Sequence, residues 1–270
     1  MNKKRKSIII LIIILICFIG LSISLFDIIK WKNDSNKTKK QIDNINDIVE
    51  IEEVFGISDN MEIIKQEGID ENHYLDYINM NLISVNFDDL KNINSDTLGW
   101  IQVNGTTINY PFVQASDNSY YLTHSFDKSY NRAGWVFLDY RNDINTLNKN
   151  TIIYAHGRLD VTMFGSLKNI LDNGWLDNSA NYVIKLSTEK ENTLWQVFSV
   201  YRIPTTNDYI KVNFDSNLEF KNWALMLMNR SFHNFNTNIS ENDNVLTLST
   251  CYNDEEKVVL HAKLIKKETR

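Results

Sequence analysis

Lys3, Lys4, Arg5 and Lys6 precede a run of twenty residues, 7–26, that carries no charged side chain and is dominated by isoleucine and leucine. Wound as a helix at about 1.5 Å per residue, such a run is about 30 Å long, the thickness of a bilayer's hydrocarbon core. A basic flank of this kind stays cytoplasmic. The expectation is therefore a cytoplasmic tail over residues 1–6, a single-pass transmembrane signal anchor over 7–26, and everything from Asp27 onward outside the cell membrane. The alternative is a cleaved signal peptide, with Ser22-Ile23-Ser24 as a small-x-small site, but the run exceeds the roughly 7–15 residues of an ordinary signal core. Ile14-Leu15-Ile16-Cys17 resembles a lipid-attachment site only superficially, because Ile16 is too large for the small residue expected before the cysteine.

This topology separates the two cysteines. Cys17 lies in the span and Cys251 is the one thiol of the external part, so no internal disulfide can form there. A lone external thiol either pairs between chains or has chemistry of its own. Removing the four basic residues of the tail from the net charge of −6 leaves −10 for residues 27–270, which argues against nucleic acid or an anionic membrane surface as the main ligand. With 43% hydrophobic residues, two prolines, nine glycines and no internal repeat, the external chain has the material for one main folded domain and little for a low-complexity linker.

Residues 31–55 are polar, with Ile42, Ile45 and Val49 at helical spacing, and predict a juxtamembrane helix that packs one narrow stripe on the body. A second helix is expected over 72–81. From residue 98 the pattern changes to short apolar runs split by Asn, Asp, Gly and Ser, the signature of strands and turns. Strands are expected over 99–103, 108–111, 136–139, 151–155, 182–186, 194–202, 245–250 and 257–265, and eight short strands suggest a barrel. Phe220, Trp223, Ala224, Leu227 and Met228 fall at i, i+3, i+4, i+7 and i+8 and predict an amphipathic helix over 220–230. A short helix over 163–171 would be capped by Thr162. The expected fold is thus mostly β, an eight-stranded barrel with N-terminal helices and a helix before the cysteine strand, organised as a helical juxtamembrane region over 27–84 and a main domain over 85–270.

Alternation along 245–251 places Cys251, Ser249 and Thr247 on one strand face and Thr250, Leu248 and Leu246 on the other. A lone cysteine is ordinarily an inert core residue, but this one ends its strand on the more polar face. His156 ends a second apolar strand, Thr151-Ile152-Ile153-Tyr154-Ala155, and is followed by Gly157.

Thr247-Leu-Ser-Thr-Cys251 closely resembles the segment that carries the nucleophile in sortases. Ile153-Tyr-Ala-His156, with Asp160 and Thr162-Met-Phe-Gly-Ser-Leu167, resembles the segment of class B sortases that carries the catalytic histidine. Asn118–Phe126, Gly134–Asn142, Leu98-Gly-Trp-Ile and Ile108-Asn-Tyr-Pro extend the resemblance over about residues 85–265. It implies a cysteine transpeptidase that cuts a C-terminal sorting signal after a threonine through a thioacyl intermediate, and that transfers the surface protein to an amine of the cell-wall peptide. Cys251 would be the nucleophile and His156 its partner, with Thr250 and Ser249 as substrate contacts. Class B relatives commonly act on haem-uptake proteins, and a few polymerise pilins.

Sortases carry an arginine on the strand after the cysteine; here that position is Lys257, and no arginine lies between Cys251 and Lys267. Lysine keeps the charge but lacks the planar fork of donors. Lys257 could substitute, Arg202 or Arg158 could fill the role, or the fold could bind a sorting peptide without turnover. Asn253 and Asp254 fit an ordinary turn, and His124 and His261 fit structural roles. The histidines show no metal-ligand spacing, so neither a metal nor any other cofactor is expected. A papain-like protease is disfavoured because His156 precedes Cys251 by 95 residues, the reverse of that family's order.

Overall fold

The computed structural model describes residues 3–56, 58–64 and 71–270. Residues 1–2 of the expected tail, and residues 57 and 65–70 of the juxtamembrane region, lie outside the described residues.

The chain begins with one continuous helix, α1 (Lys3–Ile48), in place of the two separate helical segments read from the sequence. Asp27, Lys30 and Lys32 end the apolar run but are compatible with a helix, so the change in solvent preference is not a change in backbone. From Ser7 the helix is long and apolar enough to cross a membrane, and its most apolar stretch packs on nothing. Its second half does pack: Ser35, Thr38 and Ile45 are buried, with Ile42 and Val49 against the core beside them. The helix expected to reach residue 55 stops at Ile48, because Ile51–Val54 forms β1, which pairs antiparallel with Leu82–Val85. Then follow β2 (Met61–Ile63), α2 (Glu71–Ile78), β3 (Leu82–Val85) and α3 (Asp88–Ile93). The expected domain boundary at 84/85 falls inside β3.

The remaining strands are β4 (Thr97–Val103), β5 (Asn109–Val113), β6 (Phe137–Leu138), β7 (Asn150–Tyr154), β8 (Val183–Thr188), β9 (Glu191–Pro204), β10 (Val245–Cys251) and β11 (Glu256–Thr269), with α4 (Asn173–Leu176) before β8 and α5 (Asn217–Arg230) before β10. They run β10-β7-β6-β5-β4-β8-β9-β11, and β11 pairs back onto β10, which closes an eight-stranded barrel with β2 added outside β11. Closure leaves none of these eight strands with a free edge. Each coincides with an expected strand to within a few residues. The three short strands of the N-terminal region escaped the sequence reading because three or four residues are too few to establish alternation.

The expected helix over 163–171 is instead a 3₁₀ segment, Gly165–Leu171, with no side-chain cap. Thr162 does not cap it because the segment starts only at Gly165, and the Thr162 Oγ1 accepts from Arg158 Nε at 3.1 Å while donating to Asp160 Oδ1 at 2.6 Å. The α5 prediction holds: Phe220, Trp223, Ala224 and Leu227 are buried, and Ser216 Oγ caps the helix by accepting from Glu219 N at 3.2 Å.

Two apolar layers result. Even-numbered Leu246 and Leu248 of β10 face the barrel interior with Trp100, Trp195 and Phe112. Val245 on the other face joins Phe198, Tyr201, Tyr209 and α5 outside the barrel. His261 of β11, paired with Thr247, sits fully buried in this outer layer. Thr247 Oγ1 donates to Asn150 Oδ1 at 2.6 Å, so it must accept from His261 Nδ1 at 2.9 Å, and Tyr201 then donates its hydroxyl to His261 Nε2 at 2.8 Å. This arrangement suits a neutral imidazole with its proton on Nδ1, and burial pushes the His261 pKa down to about 3.

The unfolded chain therefore binds a proton at this position below pH ~6.5 that the folded chain refuses, and stability rises with pH across that window. Unfolding free energy should fall by about 1.4 kcal/mol per pH unit between pH 6.5 and 4.5 from this one group. Denaturant titrations of the wild type and of His261→Gln at both pH values test this: the variant should be less stable at neutral pH and lose about one proton's worth of slope, and an unchanged slope would contradict it.

Candidate active site

The turn after β10 is tight. Tyr252 N donates to Glu256 O at 2.8 Å, and Asn253 Oδ1 accepts from Glu255 N at 2.9 Å and Glu256 N at 2.7 Å. Asn253 thus builds the turn, an Asx-type use of its short side chain. The hairpin sets Cys251 directly opposite Lys257, and cross-strand partners share a face. Lys257 Nζ lies 2.9 Å from Cys251 Sγ.

On its other side β10 pairs in parallel with β7, from Val245 against Asn150 to Ser249 against Tyr154. The chain leaving β7 reaches His156 at the same end of the barrel as Cys251. Gly157 makes that proximity possible: a Cβ there would stand 2.3 Å from Cys251 O and 3.0 Å from Thr250 Oγ1. His156 Nε2 lies 2.8 Å from Leu122 O, and since a carbonyl can only accept, Nε2 carries the proton.

Cys251, His156 and Lys257 line one cleft of about 380 Å³. Leu122, Phe137, Tyr154, Ala155 and Ile210 supply apolar surface, and Asn118, Thr205, Thr206 and Asn207 supply polar groups. The Cys251 side chain is partly accessible. An apolar cleft with a few convergent polar groups and one accessible thiol suits a peptide bound beside a nucleophile.

Both expected substrate contacts line this cleft, but their hydroxyls are already engaged. Thr250 Oγ1 donates to Ala155 O at 2.8 Å, which ties the end of β10 to the residue before His156. Ser249 Oγ lies 3.0 Å from Tyr209 Oη, and both residues are buried. Tyr209 escaped the sequence reading, because it sits in a segment of Thr, Asn and Asp with no periodicity. That segment, 205–210, is a wall of the cleft and is held from outside: Trp223 Nε1 of α5 donates to Asp208 O at 2.8 Å, and Arg230 Nη1 donates to Asp208 Oδ1 at 3.0 Å.

Neither alternative arginine reaches the cleft. Arg202 is paired with Val258 and lies on the opposite face from Lys257, ion-paired to Glu256 at 3.2 Å and set over the Tyr252 ring. Arg158 is ion-paired to Asp160 at 3.1 Å. Among the described residues lining the cleft, none is an arginine. His124 is stacked on Tyr120 and does not line the cleft.

Gly157→Ala should displace the His156 segment, lower peptide cleavage at least tenfold, and cost about 1–3 kcal/mol of stability. Gly174→Ala, whose Cβ would meet nothing within 4 Å, is the control. Equal cleavage by both variants would contradict the close approach of the two strand ends.

Comparison with known proteins agrees with this geometry. The family model of the sortase domain matches residues 101–265. Sortase B of Staphylococcus aureus is 34% identical over 184 residues, 67% of this chain and 75% of that protein. The crystal structure of sortase B from Bacillus anthracis in complex with AAEK1 aligns with a TM-score of 0.67 at 31% identity, over 86% of this chain and 98% of that one. A Staphylococcus aureus sortase B–substrate complex aligns with a TM-score of 0.62 at 34% identity, over 67% and 84% of the two chains. An eight-stranded barrel with a cysteine and a histidine at the ends of neighbouring strands, matched over most of its length by sortases B, makes this chain a member of the sortase family of cysteine transpeptidases, of class B.

Proposed function

We propose that Cys251 is the nucleophile, that His156 is its acid–base partner, and that Lys257 takes the place of the family's arginine. The observation that carries this reading is the 2.9 Å contact between Lys257 Nζ and Cys251 Sγ in the cleft that His156 also lines. The thiolate attacks the carbonyl carbon after the threonine of a sorting signal. Lys257 supplies positive charge and N–H donors where the oxyanion develops. His156 gives its proton to the departing amine as the carbonyl re-forms, leaving a thioester on Cys251. A second amine, from the cell-wall peptide, then attacks the thioester, returns a proton to His156 and releases the thiolate. No bond is oxidised or reduced, and no cofactor takes part.

The substrate-bound Staphylococcus aureus relative supports a sorting peptide as the ligand of this cleft. Residues 7–26 hold the enzyme in the cell membrane, with residues 1–6 cytoplasmic and the barrel outside. Thr250 and Ser249 act as positioning residues more than as direct contacts, since their hydroxyls hold the end of β10 to Ala155 and Tyr209. A second reading, a sortase fold that binds a sorting peptide without turnover, is favoured by one observation, the lysine at the arginine position.

The test is cleavage of a panel of fluorogenic sorting peptides by residues 27–270, which omit only the tail and the apolar run. Cys251→Ala should abolish cleavage. His156→Ala should lower kcat by about 10²–10⁴-fold. Lys257→Ala should lower it by about 10²-fold, with Lys257→Arg equal to or above the wild type. No cleavage of any peptide by residues 27–270 or by the full chain, even with Lys257→Arg, would favour the binding module, whereas cleavage by the full chain that is lost on removing residues 1–26 would contradict a purely localising anchor.

A further inference from the structure

The loop of residues 157–163, which follows His156, is welded to the first turns of α1 beyond the apolar run. Arg158 places its guanidinium 5.6 Å from the Trp31 ring centroid and donates to Ser35 Oγ at 3.2 Å, and Ser35 also bonds to Asp160. Arg158 and Asp160 form an ion pair whose two side chains are each only 7% exposed. Burial raises the Asp160 pKa, but the bonds from Arg158 and Thr162 outweigh it and hold the carboxyl below the usual range. The loop closes on itself through Phe164 N to His156 O at 3.0 Å. Val161 and Met163 are fixed at φ 57° and 54°, a left-handed conformation that is unusual for a β-branched residue.

This braced loop displays Leu159 at 87% exposure, the highest of the large apolar side chains described, with Val161 at 50%. Single exposed leucines are ordinary on protein surfaces; the level of this one along α1 sets it apart. Exposed apolar surface on α1 continues past Phe26 through Ile28 and Ile29 to Trp31. Trp31 stands five residues beyond Phe26, about 7–8 Å at helical rise, which is the depth of the headgroup layer where tryptophan is enriched. Leu159 adjoins the residue that lies against Trp31. Of the charges here, Arg158 is paired with Asp160 and, one turn further along α1, Asp34 with Arg132 at 3.0 Å, while Lys30 and Lys32 beside Trp31 are exposed, a position suited to lipid headgroups.

From this juxtaposition we propose that the 157–163 loop is a second membrane contact, with Leu159 seated in the headgroup and acyl boundary of the bilayer that α1 crosses. The proposal rests on the reading of residues 7–26 as a bilayer span. Its consequence is positional. His156 is three residues from Leu159, at most about 10–11 Å of chain, so the mouth of the cleft lies at the membrane surface and takes peptide segments that are themselves close to the bilayer.

The full chain, carrying Cys17→Ser and Cys251→Ala, is reconstituted in vesicles of phosphatidylcholine and phosphatidylglycerol with an environment-sensitive fluorophore at one introduced cysteine. Leu159→Cys, Phe26→Cys and Leu218→Cys are compared for quenching by nitroxide-labelled lipid. Quenching at positions 26 and 159 but not at 218 is the expected result. Quenching at 26 alone overturns the loop contact and leaves the anchor standing, whereas no quenching at 26 overturns the anchor reading itself. As a second measurement, Leu159→Ser in the otherwise wild-type full chain should cleave a soluble peptide at the unchanged rate and a peptide tethered to the same vesicles several-fold more slowly. Equal rates on the tethered peptide would overturn the proposal.

Discussion

β10 pairs with β7 in parallel on one side and with β11 antiparallel on the other, and it is this closure of the barrel that assembles the site. Pairing with β11 through a short turn sets Lys257 opposite Cys251. Pairing with β7 brings the chain that leaves Tyr154, and hence His156, to the same end. Both pairings depend on Leu246 and Leu248 facing the interior, because a slip of one residue would turn Cys251 inward and leave the two leucines outside. The packing that stabilises the fold is therefore the same packing that aims the thiol at the cleft.

The elements outside the barrel serve that end. α5 buries one face against β9 and β10 and, through Trp223 and Arg230, braces the 205–210 wall of the cleft. α1 braces the loop after His156 through Trp31 and Ser35. Helix α1 and the loop after His156 are thus mechanically one piece, and the buried neutral His261 ties β11 to β10 and β9 through side chains on the outward face.

Much of this was legible in the sequence. Alternation over 245–251 identified the cysteine's face, and the spacing of Phe220, Trp223, Ala224 and Leu227 identified the buried side of α5, because both rest on a period that seven to eleven residues establish. The pairing of Cys251 with Lys257 follows from register, which a single strand does not reveal. The Ser249–Tyr209 bond joins residues forty positions apart through a loop without pattern. The continuity of α1 is hidden by the charged residues at 27–32, which end the apolar run and not the helix. Thr162 has the residue type of a cap, yet Arg158 and Asp160, both close in sequence, engage its hydroxyl and the segment starts two residues beyond the expected helix start.

The proposed reaction requires Cys251, beside Lys257, to form a thioester with a sorting peptide. Intact-mass spectrometry of residues 27–270, quenched in acid during turnover of a cleaved peptide and followed by peptide mapping, tests it most directly. The expected result is an adduct equal to the acyl portion of the peptide, located on Cys251, absent in Cys251→Ala and discharged by an added amine. Cleavage without any adduct on Cys251, or an adduct that persists in Cys251→Ala, would contradict it.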